Sequence, residues 1–206
     1  MKNILLVDEH SFVLEAYENL LKNTTAFQIE NLFKATSIEK AISIMNEEEQ
    51  IDIAFFGINM PKNNVLKIED GIDLAQYFKS KHPFAKIAFI TMHSEFCVLL
   101  KAINFIKPNV FISKTDVDAF TFSSIFKALK NDEHFYSKEM LEVYKWTKQS
   151  QIKLDMYDFQ ILTQTNKGVK TKELTNYLPL SLSAIEKRKS NLKLIISDFK
   201  WVSIKK

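Results

Sequence analysis

Thirteen basic residues, twelve lysines and Arg188, lie between Lys145 and Lys206 against five acidic ones, an excess of eight positive charges. The preceding 144 residues hold 15 basic and 20 acidic residues, so one half of the chain is acidic and the other basic. The basic excess is densest at Glu186-Lys187-Arg188-Lys189, followed by Ser190, Asn191 and Lys193. Cationic side chains clustered this way bind a polyanion such as DNA, although a lysine-rich solvated surface has the same composition. A second chemical feature is the adjacent pair Asp8-Glu9. Two carboxylates hold a hard cation weakly, because Mg²⁺ prefers a fuller octahedral set. His10 and His93 stand near strand ends, where a lone histidine is usually a structural polar residue, and neither is assigned as ligand or base. The chain has no glycine-rich phosphate loop, no Cys/His cluster with metal spacing and no nucleophile–base motif, so it is not expected to be an enzyme.

The elements that must carry these groups are legible in the apolar pattern. Short apolar runs at Ile4–Val7, Ile53–Phe56, Ile87–Ile90 and Val110–Ile112, with a weaker one at Ile29–Lys34, suit strands buried on both faces. Amphipathic stretches alternate with them at Phe12–Lys22, Ser37–Glu47, Gly71–Lys81, Glu95–Asn104 and Asp118–Leu129. The spacing predicts a doubly wound α/β fold with a five-stranded parallel sheet, which binds ligands at the carboxyl ends of its strands. A polar, aromatic stretch at 131–151 reads as a linker with a short helix near Lys138–Trp146. Beyond it the pattern is purely helical, at Asp155–Asn166, Thr171–Tyr177 and Leu182–Ile196, with a last helix ending near Trp201. Asp155 and Ser181 are suited to cap the first and third of these helices, and Gly168 to turn the chain after the first. No apolar run reaches the roughly 18 residues of a membrane helix. The first run is too short for a signal-peptide core, and the single cysteine, Cys97, fits a reducing cytoplasm.

Residues 1–130 resemble the receiver domain of two-component response regulators. The resemblance rests on Asp8-Glu9 after the first strand, Ile58-Asn59-Met60-Pro61 after the third, the Asp70-Gly71 turn, Thr91 ending the fourth strand and Lys114 after the fifth. It implies a flavodoxin-like receiver in which a carboxylate four residues before the proline attacks a phosphoryl donor. Asp8 and Glu9 would hold Mg²⁺, while Thr91 and Lys114 would hold phosphoryl oxygens. The position four residues before Pro61 is Gly57, which has no side chain. The nucleophile and one metal ligand are therefore missing, metal binding at Asp8 and Glu9 is in doubt, and Lys114 is expected to pair directly with Asp8 or Glu9. Phe111 holds the family's switch-aromatic position, with ordinary sheet packing as the alternative. Nine residues, Lys62–Asp70, separate Pro61 from Gly71 where the family usually has about three. They form a lid over the pocket, a partner contact or a tolerated surface insertion.

Residues 154–193 resemble, without a gap, the helix-turn-helix of LuxR/NarL-type regulators, through Leu154, Asp158, Ile161-Leu162, Gly168, Lys172-Glu173-Leu174, Leu178, Ser181, Ile185, Arg188 and Ser190-Asn191-Leu192. The resemblance places Glu186, Lys187 and Ser190 near bases, while Ser183, Ala184, Lys187 and Ser190 share one helix face. Lys170, Thr171, Lys172 and Ser181 are placed at phosphates, and Arg188 completes the DNA-binding set. The domain reading is a pseudo-receiver at 1–130, a linker at 131–151 and a LuxR-type helix-turn-helix at 152–206. The expected function is a dimeric, cytoplasmic, sequence-specific transcription regulator whose partner is DNA. Its receiver works without aspartyl phosphate, controlled through dimerisation, a protein partner at the receiver or a ligand, or is always on. The rival is an interaction protein that titrates a kinase or another regulator without reading DNA.

Overall fold

The computed structural model describes residues 1–23, 28–93, 95–150 and 152–198. The chain forms two compact units, one of residues 1–94 with 105–142, the other of 95–104 with 143–206.

The first unit alternates strand and helix from its start. Strands β1 (Lys2–Val7), β2 (Ile29–Ala35), β3 (Ile53–Phe56), β4 (Lys86–Thr91) and β5 (Val110–Ser113) are all parallel. Four-residue β3 is buried at every position, as a strand covered on both faces must be. The sheet order is β2-β1-β3-β4-β5-β6, so it has six strands rather than the five expected. The sixth, β6 (Phe135–Tyr136), lies inside the stretch read as linker and pairs with Val110 and Phe111 of β5. Ser137 continues the attachment by accepting the Ser113 N–H at 3.0 Å through its hydroxyl. Two residues carry no periodic signal; the edge of β5 supplies the pairing that makes them a strand.

Helices α1 (Ser11–Lys22) and α5 (Ala119–Lys130) cover one sheet face, where Leu14, Tyr17, Leu21, Phe122 and Phe126 pack on Ile4, Leu6, Phe55 and Ile112. Helices α2 (Ile38–Glu47) and α3 (Gly71–Lys81) belong to the other face, where Phe78 meets Phe56 edge-on at 5.5 Å and Phe56, Phe89 and Phe111 form an aromatic row. Asp70 caps α3 by accepting the N–H groups of Ile72 and Asp73. Gly71 is required by space: a Cβ there would run into the Gly57 carbonyl oxygen, because α3 starts directly against the end of β3.

The second unit is helical. It comprises α4 (Phe96–Phe105), α6 (Lys138–Ser150, from Val143 on), α7 (Met156–Asn166) and α8 (Leu182–Asp198). Phe96 meets Trp146 edge-on at 5.4 Å, and the Asn104 amide donates to the Leu154 carbonyl at 3.0 Å. Asp155 and Asp158 form a reciprocal capping box at the start of α7. Gly168 turns the chain at φ 85°, as a glycine after a helix end does. The stretch Thr171–Tyr177, expected as a helix, is a 3₁₀ helix over Thr171–Asn176. Ser181 caps α8 by accepting the Ala184 N–H at 3.3 Å. Leu154, Phe159, Ile161, Leu162, Leu174, Leu178, Ile185 and Leu192 form the core. The last helix expected near Trp201 lies outside the described residues. Among the described residues, no helix is long and apolar enough to cross a membrane.

Candidate functional site

The carboxyl ends of β1, β3, β4 and β5 bring Asp8, Gly57, Thr91 and Lys114 to one end of the sheet. The Gly57 N–H donates to the Val7 carbonyl at 2.8 Å, which sets Gly57 beside Asp8. Asp8 is 1% exposed and its two oxygens serve opposite sides. Oδ2 accepts the Lys114 ammonium at 2.6 Å. Oδ1 accepts the His10 N–H at 3.1 Å and lies 3.2 Å from its Nδ1. A Cβ on Gly57 would sit 2.9 Å from Asp8 Oδ2, so the Asp8 carboxylate, drawn by Lys114, leans over the bare backbone. Burial, and then the Asp8 charge, push the Tyr17 hydroxyl well above the ordinary tyrosine range. Thr91 is buried, and its hydroxyl accepts the His93 N–H at 3.0 Å. Phe111 is fully buried, with its ring against those of Phe89 and Tyr136.

The resemblance implies Mg²⁺ beside Asp8 and Glu9, and the donor set does not fit that ion. One Asp8 oxygen is committed to an ammonium, and Gly57 contributes no side-chain oxygen. The third ligand-type group near Asp8 and Glu9 is the imidazole of His10. Mg²⁺ requires an octahedral oxygen shell. Glu9 Oε1 lies 3.4 Å from the Asn59 amide, whereas Oε2 is buried with no hydrogen-bond partner among the described residues.

The inserted segment Lys62–Asp70 closes on itself. Asn63 and Ile68 exchange backbone hydrogen bonds at 2.8 and 3.1 Å, Asn63 Oδ1 accepts the Leu66 N–H, and the Asn63 amide donates to Glu39 on α2. Ile68 is buried, while Val65 and Leu66 stay exposed.

In the helical unit, α8 divides its side chains by direction. Ser183, Glu186, Lys187 and Ser190 are exposed, and Ala184 is half-buried among them. Arg188 is turned toward α7: its guanidinium donates to Asp158 Oδ1 at 2.7 Å and to Asp155 Oδ1 at 3.0 Å, and stacks near the Tyr157 ring. Burial alone would raise the Asp155 carboxyl. The Asp158 N–H and the Arg188 guanidinium together hold it below the usual carboxylate range. Lys189 reaches across to Thr171 Oγ1 at 2.9 Å, which ties the 3₁₀ helix to α8. Lys170, Lys172 and Ser181 are exposed. Lys153, which sequence reasoning missed, and Asn191, named there only as part of the motif and given no role, line a cavity with Lys187. Their separation along the chain hides that grouping until the helices are packed. Burial pushes the Cys97 thiol up, against the opposing pull of a hydrogen bond with Asn166.

Several solved structures share this fold. RcsB from Salmonella enterica serovar Typhimurium, bound to promoter P1flhDC in the presence of phosphomimetic BeF₃⁻, is 17% identical over 95% of this chain and 92% of its own, with a TM-score of 0.63. A two-component response regulator RcsB–DNA complex is 18% identical over 94% and 91%, with a TM-score of 0.64. A two-component response regulator of the LuxR family from Aurantimonas sp. SI85-9A1 is 20% identical over 72% and 98%, with a TM-score of 0.58. No curated protein matches in sequence. The family model of the response regulator receiver domain matches residues 4–120, more than half of the chain, and Asp8, Gly57, Thr91 and Lys114 lie inside it. The chain therefore belongs to the response regulator receiver domain family.

Proposed function

We propose that this protein is a sequence-specific DNA-binding transcription regulator whose receiver, residues 1–130, works without aspartyl phosphate. A linker at 131–151 and a helix-turn-helix at 152–206 complete it. The observation that carries this reading is α8, which is fastened on its inner sides by Arg188 and Lys189 and leaves Ser183, Glu186, Lys187 and Ser190 open. A helix so presented enters the major groove and meets base edges. Lys187 then donates to guanine and Glu186 accepts from cytosine N4. Lys170, Lys172 and Ser181 meet phosphates, which position the helix without specifying sequence. RcsB, which shares the fold at low identity, is seen on DNA, and that supports the same use here. One small module gives little affinity, so the active form is a homodimer on two half-sites. The setting is the cytoplasm, where DNA is reached.

The receiver's part follows from its interior. The Asp8–Lys114 pair joins groups that, in the family, would serve the cation and the phosphoryl group, and Gly57 offers no nucleophile. Control then falls to dimerisation, a protein partner or a ligand. A gel shift against the protein's own upstream region, with unrelated competitor and a salt titration, tests the DNA-binding reading. Specific binding whose affinity falls steeply with salt is expected. Failure to bind any duplex at low salt would favour an interaction protein that titrates a kinase or another regulator.

A further inference from the structure

Lys153 lies in the segment that leads into α7, and Asn191 lies in the middle of α8. The fold brings them together with Lys187 around a cavity of about 370 Å³, which the Asp158–Arg188 pair and Leu154 also line. Asp158 does not oppose an anion there. Its Oδ1 accepts from Arg188 at 2.7 Å and its Oδ2 accepts the Asp155 N–H at 3.0 Å. Lys153 and Lys187 are exposed, and neither forms an ion pair among the described residues. The cavity thus carries net positive charge, an amide with two donors on Asn191, and an apolar wall.

Its place on α8 decides what it faces. At 3.6 residues per turn, Ser183, Glu186 and Ser190 form one stripe. Ala184 and Asn191, on the cavity side, lie to one side of that stripe. Lys189, which holds Thr171 of the 3₁₀ helix, lies to the other. A helix in the major groove, about 12 Å wide, runs between two phosphate backbones. Lys170 and Lys172 belong to the Lys189 side and meet one of them.

We propose that the cavity seats a phosphate of the opposite backbone, with Lys153 and Asn191 holding its oxygens, so that α8 is gripped from both walls of the groove. This rests on the DNA-binding reading. A bound phosphate carries no sequence information, so its signature differs from that of a base contact. The test measures anisotropy of a labelled upstream-region duplex and a labelled mixed-sequence duplex, using the full chain across a salt series. Lys153→Ala is expected to weaken both duplexes by the same factor and to make the log–log salt slope shallower by about one. Between ~50 and ~200 mM salt the variant should therefore lose about threefold less affinity than the wild type. Lys153→Arg should restore the slope, and Asn191→Ala should weaken both duplexes without changing it. Unchanged binding by Lys153→Ala, while Lys172→Ala weakens it, overturns the clamp and leaves the DNA reading intact. A loss confined to one sequence overturns it too, since Lys153 would then read bases. If the wild type binds neither duplex at low salt, the clamp and the reading fall together.

Discussion

The sheet-end pocket and helix α8 handle positive charge in opposite ways. In the pocket, the Lys114 ammonium is spent on a buried carboxylate of the same chain, 2.6 Å away. Among the described residues of α8, only Arg188 is spent in this manner, on Asp155 and Asp158, and the exposed Lys187 and Lys193 keep their charge for the outside. A cation neutralised inside holds the fold together, whereas one left in water attracts a partner. The glycines differ in the same sense: Gly71 is demanded by a crowded interior, Gly168 by a turn with nothing within 4 Å of its missing Cβ.

Breaking the pocket pair should have the largest effect. Lys114→Met leaves Asp8 buried without its cation and is expected to cost about 3–5 kcal/mol in a urea titration. The double variant Asp8→Asn/Lys114→Met should recover most of the loss. A single variant as stable as the wild type would show that the pair holds nothing. Gly71→Ala comes next, at about 3 kcal/mol, because the new methyl meets backbone and not a side chain that can swing away. A negligible change in thermal midpoint would mean that α3 is not seated against β3 as described.

Arg188→Ala should cost roughly 1–2 kcal/mol, since the Asp155 half of its pairing is half-exposed and screened while the Asp158 half is nearly buried. Asp155 has its folded pKa depressed, so its contribution is present above the unfolded carboxylate value near 4 and is lost as pH falls through the lower folded value. The wild type should therefore lose stability progressively below about pH 4. Arg188→Ala should start lower and lose less over that range, and parallel pH profiles would contradict the pairing. The smallest effect belongs to Gly168→Ala, about 1 kcal/mol from backbone strain at positive φ. A cost as large as that of Gly71→Ala would erase the distinction between the two glycines.

Much of the fold could be read from apolar runs, since strands buried on both faces, such as Ile53–Phe56, leave an unbroken signal. Edge β2, with Glu30 and Asn31 exposed and one position fully buried, gave a weak one. The strand at Phe135–Tyr136 had none, because it exists through pairing with β5. Thr171–Tyr177 carries Leu174 and Leu178 at a helical spacing, yet so short a segment with Thr and Asn settles into a 3₁₀ helix. At the site, Gly57 and Lys114 could be placed from their positions relative to Pro61 and to β5. The choice of Asp8 over Glu9 as the partner of Lys114 could not, since it depends on which carboxylate the sheet buries. Arg188 looked like one more basic residue of α8; its partners lie about 30 residues away on another helix, beyond the reach of any local pattern.

The most direct measurement is the DNA affinity of the full chain for its own upstream region, by fluorescence anisotropy, with and without beryllofluoride and Mg²⁺. Salt-steep binding curves that superimpose under both conditions are expected from a pocket with no acceptor carboxylate at Gly57 and an open α8. Binding that appears or tightens only with beryllofluoride would contradict the first, and no binding under either condition would contradict the second.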